Sequence, residues 1–305
     1  MEAAMIRLDN TSGGAIAAAI SAERHRQGSP TTGMVLTMLI LTDEEFQSDA
    51  TSGAVFAARQ HPMRIVTVIP KPGKGSHSLD AEIAVGGDDG PGEVAVLRLR
   101  GELSDHADSV VIPLLLSDTP VVAFWPSHAP AVPAEDTIGR HAQRRITDSA
   151  NSEDPLEELR QRGHGYRPGD TDLSWSRLTP WRSVLATVFD QPTARVTGCS
   201  ISAESNNPSA SLLATWLEKT LNTTVEITST DSPGIQSVII TTESGEIAIT
   251  RADGRTATLS QTGAPDALIS LPRRDLTTLL NEDLRRLDPD DVYGWVIRAY
   301  AGKSS

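Results

Sequence analysis

Three short apolar runs constrain this chain more than anything else in it: residues 35–41 (VLTMLIL), 64–70 (RIVTVIP) and 120–126 (PVVAFWP). Each has the length of a strand and is apolar on both of its faces. Strands of that kind need cover above and below, which the helices of an α/β layer structure supply around a mostly parallel sheet. The intervening sequence agrees. Thr42-Asp43-Glu44-Glu45 offers a helix cap followed by acids in the first turn, predicting a helix to about residue 60. His61-Pro62 ends it, because a residue before proline is pushed out of the α region. Residues 79–85 and 93–100 (EVAVLRLR) flank a glycine-rich loop at 86–92 and read as an antiparallel hairpin at a sheet edge, which makes the sheet mixed. An Ala-rich helix at 15–27, stopped by Gly28 and Pro30, and a helix at 104–116 capped by Ser104 complete this part.

With 305 residues the chain has room for two domains. The N-terminal α/β layer domain, with its mixed and mostly parallel sheet, takes residues 1–135. Residues 136–191 form a helical connecting segment, with helices expected at 138–146, 154–162 and 172–190 and a linker at Gln191-Pro192. Residues 192–305 form a C-terminal α+β domain. It starts with a strand at 195–202 and a helix at 209–221. Short alternating strands follow, with turns at Glu243-Ser244-Gly245 and Ala252-Asp253-Gly254, the pattern of an antiparallel meander. Helices at about 273–287 and 289–301 close the chain.

Composition and motifs exclude several function classes. A net charge of -13 disfavours a nucleic-acid groove, which needs a cationic surface. No apolar run approaches the roughly 20 residues of a membrane span, and the first residues lack a secretory signal. A single cysteine cannot form an internal disulfide, as expected in a reducing cytoplasm. Gly73-Lys74-Gly75 follows a strand, but no helix opens after it, so it reads as a surface loop rather than a dinucleotide fingerprint. Gly302-Lys303-Ser304 lacks the rest of a phosphate-binding loop. The seven histidines show no metal-ligand spacing, and no Gly-x-Ser-x-Gly elbow occurs. Cys199 lies mid-strand without cationic neighbours and reads as a small buried hydrophobe. Neither a cofactor nor a metal is expected.

Two clusters remain. Arg140, Arg144 and Arg145 fall at helical spacing within 139–148, either as a solvated helix face or as a contact for carboxylates or phosphates. Residues 169–182 (GDTDLSWSRLTPWR) hold two of the five tryptophans together with Asp170, Asp172, Arg177 and Arg182. Trp and Arg dominate interface hot spots, so Asp170, Asp172, Trp175, Arg177, Trp181 and Arg182, with Arg140, Arg144 and Arg145, are candidates for partner contact. The alternative is a helix whose tryptophans pack between the two domains.

Long stretches, in order, resemble a known family. They include His61-Pro62-Met63-Arg64-Ile65-Val66, residues 93–106 (EVAVLRLRGELSDH), residues 119–126 (TPVVAFWP), Gln143-Arg144-Arg145-Ile146-Thr147-Asp148, the 169–182 segment, and residues 282–293 (EDLRRLDPDDVY). These resemble the OpcA family of glucose-6-phosphate dehydrogenase assembly proteins, in its actinobacterial type. Phe124 stands where the family has a tryptophan ahead of Trp125. The cyanobacterial branch is linked to thiol redox control, a pattern from which a lone Cys199 departs. The resemblance implies a non-catalytic protein that binds glucose-6-phosphate dehydrogenase and promotes its active oligomer as an allosteric effector, with a sugar phosphate as a further candidate effector. A sugar-phosphate- or nucleotide-binding protein or enzyme using the strand ends of the first domain is the alternative.

Overall fold

A computed structural model of the protein describes residues 5–27, 33–86, 92–189 and 194–303. The helix stop at Gly28 and Pro30, most of the 86–92 loop and the linker at 191–192 lie outside the described residues. The chain gathers into two compact units that interleave along the sequence. The first comprises the residues up to 148, with 167–171 and 276–289. The second comprises 149–166, 172–275 and 290 onward.

The first unit begins with β1 (Ile6–Leu8), α1 (Gly13–Gln27), β2 (Leu36–Leu41), α2 (Glu44–Ala57), β3 (Met63–Lys71), β4 (Ser78–Val85) and β5 (Glu93–Arg100). After them come α3 (Ala107–Val111), β6 (Val121–Trp125), β7 (Arg144–Thr147) and the short β8 (Asp170–Asp172). The eight strands form one mixed sheet in the order β1-β4-β5-β3-β2-β6-β7-β8. β5, β3, β2, β6 and β7 run parallel to one another, as the three apolar runs predict. Asp43, rather than Thr42, caps α2 by accepting the amides of Glu45 and Phe46 at 2.9 and 3.0 Å. The hairpin β4–β5 is antiparallel as expected. It is not an edge, however, since β1 pairs with β4 and covers its outer side.

Two expected helices take other forms. The 104–116 stretch divides into a 3₁₀ turn at Gly101–His106, the short α3 and a second 3₁₀ turn at Ile112–Leu114. Pro113 has no amide with which to continue an α-helix. Residues 138–146 are not helical: Gly139–His141 forms a 3₁₀ turn and β7 follows, in parallel register with β6. Pairing with a central strand outweighs local helix preference here. Arg140, Arg144 and Arg145 therefore share no helical face.

The second unit contains α4 (Pro155–Gly165), α5 (Leu173–Ser176), α6 (Thr179–Phe189), β9 (Val196–Glu204), α7 (Pro208–Leu221) and β10 (Val225–Thr230). Its meander is β11 (Ile235–Thr242), β12 (Gly245–Thr250), β13 (Thr256–Gln261) and β14 (Ala267–Ser270). Near the C-terminus α8 (Leu276–Arg285) belongs to the first unit and α9 (Asp291–Ala301), capped by Asp290, to the second. The sheet order is β10-β9-β11-β12-β13-β14. β9, α7 and β10 make a parallel crossover, and β9 and the meander are antiparallel. Ile201, Leu213, Leu217, Val238, Ile240 and Ile249 pack with Leu159, Tyr293 and Ile297 into the core. The helix expected over 172–190 is two helices, because the Pro180 ring conflicts with a continuous helix at the carbonyl one turn earlier.

Gly169, which opens the segment leading to α5, has φ +95°, and a Cβ there would lie 2.3 Å from the Gln143 carbonyl oxygen. Both a left-handed backbone and a close approach demand glycine. Gly169→Ala is expected to destabilise the protein by about 1–3 kcal/mol, read as a lower urea midpoint at unchanged slope. An unaltered midpoint would contradict the packing of 169 against β7.

Candidate functional site

The residues singled out in the sequence sort into two groups. In the first unit, the Arg145 guanidinium pairs with Asp170 and donates to the carbonyls of Ala142 and Pro168, each at 2.6 Å. Asp170 also accepts the Arg167 amide at 2.7 Å. Arg144 donates to Asp283 at 2.6 Å and to the Asp288 carbonyl at 3.2 Å, which ties α8 and the turn after it to β7. These side chains are buried. Arg140 stands apart on an exposed turn and pairs with Asp108 at 3.1 Å.

The second group lies in the second unit. Asp172 is fully buried and caps α5 by accepting the Ser174 amide at 2.9 Å; its other oxygen accepts the Ser149 amide and hydroxyl at 3.0 and 2.7 Å. Trp175 and Trp181 are each 2% exposed and belong to the core of this unit. Trp175 donates its indole N–H to Asp290 at 2.9 Å, and the other oxygen of Asp290 caps α9 through the Tyr293 amide. The Arg182 guanidinium lies 3.8 Å from the Trp175 ring centroid. The Arg251 guanidinium lies 5.1 Å from that of Trp181. The tryptophans of this segment thus face inward, where indole surface contributes most. Arg177 and Arg182 keep partial exposure.

Arg177, Leu178 and Trp181 also line a cleft of about 280 Å³ within this unit, at the N-terminus of α7. Asn207 caps that helix by accepting the Ala210 amide at 3.0 Å. Arg251, Arg273 and Arg274 complete the cationic lining, with Glu204 as a carboxylate in the same wall. Glu204 is held by the Gly234 amide at 2.9 Å. Arg251 is buried, and its two terminal nitrogens donate to the carbonyls of Leu271 and Ile235 at 3.2 and 2.8 Å. Its Nε has no hydrogen-bond partner. Burial, and secondarily the charge of Arg273, push the Arg251 guanidinium down to about 10, against a smaller opposing pull from Asp253. Sequence reasoning missed these arginines and placed the dibasic Arg273-Arg274 at the start of a helix, whereas that helix begins only at Leu276 and leaves the pair in the preceding loop.

A second cleft, of about 350 Å³, lies in the first unit at the C-terminal ends of β2, β3 and β6. This is where open parallel sheets commonly bind ligands. Asp43, Ser127, His128 and Asp136 line it, and among the described residues neither lysine nor arginine does. Among the described residues no cluster of side chains could hold a metal ion, and no helix is long and apolar enough to cross a membrane.

Comparison with known proteins covers both units. Residues 54–164 match the family model for a glucose-6-phosphate dehydrogenase subunit N-terminal domain, and residues 168–297 match that for the C-terminal domain. Together they span most of the chain. A Synechocystis sp. protein, provisionally named OxPP cycle protein OpcA, is 26% identical over 155 residues, or 48% of this chain. That match spans 32% of the relative's own length.

Two outcomes follow from the burial of these groups. Trp181→Ala is expected to destabilise the fold by about 3–5 kcal/mol, as loss of a core aromatic does, whereas Arg182→Ala costs about 0.5–2 kcal/mol through the lost cation–π contact. Denaturant unfolding measures both, and a wild-type midpoint for Trp181→Ala would place that ring outside the core. Cys199 is 7% exposed, and burial, with Glu218 second, pushes its thiol up to about 11. It should resist alkylation at neutral pH in the native chain and react promptly in denaturant. Rapid native labelling would show a reactive thiol instead.

Proposed function

The chain belongs to the OpcA family of glucose-6-phosphate dehydrogenase subunit proteins, and from that premise we propose that it is a non-catalytic assembly factor and allosteric effector of that dehydrogenase. It binds the enzyme, promotes its active oligomer and acts in the cytoplasm, as the actinobacterial type of the family in the oxidative pentose phosphate pathway. The observation that carries this reading is the match to both the N-terminal and the C-terminal domain of a dehydrogenase subunit, across both compact units.

The energetics are modest. An effector shifts an enzyme between states only through its differential affinity for them. A coupling of about 1–3 kcal/mol gives a several-fold to hundred-fold change. On this reading Arg140, Arg177 and Arg182 reach the partner, because they retain solvent exposure. The buried members support these within their own units, Arg144, Arg145 and Asp170 in the first and Asp172, Trp175 and Trp181 in the second, by holding their segments rigid. Preorganisation of that kind lowers the entropy lost on binding. The alternative, a sugar-phosphate or nucleotide site at the strand ends of the first unit, is disfavoured by the acids of that cleft, since Asp43 and Asp136 repel a phosphate.

The test is sizing and steady-state kinetics of the dehydrogenase with and without the full chain. Addition is expected to enrich the larger active oligomer and to raise kcat/KM. Arg140→Glu combined with Arg177→Glu should weaken the complex at least tenfold while leaving the unfolding free energy of the isolated chain within about 1 kcal/mol of wild type. Failure of the two proteins to co-elute at any salt concentration would sink the proposal.

A further inference from the structure

Five arginines are buried among the described residues: Arg64, Arg144, Arg145, Arg162 and Arg251. Four of them meet a carboxylate, Arg64 with Glu93, Arg144 with Asp283, Arg145 with Asp170 and Arg162 with Glu158. Arg251 is the exception. It is 5% exposed, its terminal nitrogens are satisfied only by backbone carbonyls, and its Nε is unpartnered. A guanidinium removed from water without an ion-pair partner is costly, and the like charge of Arg273 makes this one costlier, against a smaller pull from Asp253. Arg273 itself donates to the Pro233 carbonyl at 2.6 Å and forms no ion pair among the described residues. Both line the cleft at the N-terminus of the 14-residue α7, where the helix dipole adds further positive potential.

We propose that this cleft binds a small molecule through a phosphate monoester, with the phosphoryl oxygens against Arg251 and Arg273 at the start of α7. Neither guanidinium forms an ion pair among the described residues, two such groups match a dianion, and guanidinium forks suit phosphate oxygens. Among the described residues one carboxylate lines the wall, Glu204, and it is engaged by the Gly234 amide. A volume of about 280 Å³ is close to the lower end of small-molecule pockets, near 300 Å³. It therefore admits a compact organic group beside the phosphate. Trp181, whose ring centroid lies 5.1 Å from the Arg251 guanidinium, supplies an apolar wall for that group.

The site is a property of the second unit and does not depend on association with the dehydrogenase, so its test uses the isolated full-length chain. Thermal unfolding is followed with inorganic phosphate, a hexose 6-phosphate or the unphosphorylated hexose at about 10 mM, at matched ionic strength, since a ligand bound only by the native state raises Tm. The hexose 6-phosphate is expected to raise Tm more than inorganic phosphate does, and the plain hexose not at all. Stabilisation equal for the two phosphates would identify the free anion as the ligand and overturn the organic part of the proposal. Arg273→Ala, on an exposed side chain, is expected to weaken hexose 6-phosphate binding at least tenfold, measured by calorimetry. Arg251→Lys keeps the charge but loses the fork and should weaken binding to a similar degree. No stabilisation by either phosphate, or wild-type affinity in Arg273→Ala, overturns the site.

Discussion

The interior of this protein is organised by a demand that buried guanidinium groups be answered. Arg64 and Arg24 converge on Glu93, which bridges neighbouring parallel strands and the first helix. Arg144 reaches Asp283 and Arg145 reaches Asp170, so that two successive residues of one strand fix two segments distant in sequence. Pairs of this kind add little net stability, because desolvation offsets their attraction. Breaking one by removing a single partner is severe, at about 3–5 kcal/mol. Their effect is therefore on specificity, since displacing β7, β8 or α8 leaves a buried charge alone. Within the second unit Arg251 departs from this rule, and the departure falls in a cleft with further arginines and a helix N-terminus.

The segment from Gly169 to Arg182 serves the same logic. Its composition suggests an exposed recognition stripe, since Trp and Arg are the residues of interface hot spots. In the structure both tryptophans are in the core of the second unit, and arginines lie over their faces. The same residue types that stabilise an interface stabilise an interior, because both bury large amphipathic side chains. Asp172 and Asp290 show the economy of the arrangement: each carboxylate caps a helix with one oxygen and fixes a second group, Ser149 or the Trp175 indole, with the other. What remains at the surface is the partial exposure of Arg177 and Arg182, carried on a rigid support.

Much of the fold was legible. The unbroken apolar runs at β2, β3 and β6, the alternation in β5 and the turn residues of the meander carry their own periodicity, and periodicity survives in one dimension. The region from 138 to 146 did not, because its arginines at helical spacing are equally compatible with a strand once Asp170 and Asp283 are within reach. Those acids lie 25 and 139 residues away, a pairing with no local signature. β1 was missed for a related reason, since three residues gain strand structure only by lying against β4. The arginine-lined cleft was invisible because Arg177, Arg251 and Arg273 come from a turn between helices, the end of one strand and the chain after another.

By itself the sequence determined the layer architecture, the mixed sheet, the meander and the family, because hydrophobic period, turn chemistry and ordered motifs are local or colinear properties. Only the tertiary structure decided which charged and aromatic side chains face water. Burial and charge pairing depend on distances between residues remote in the chain, so a guanidinium is structural where it and its carboxylate are both buried, as at Arg144 and Arg145, and stays available where it is exposed, as at Arg140 despite its pair with Asp108.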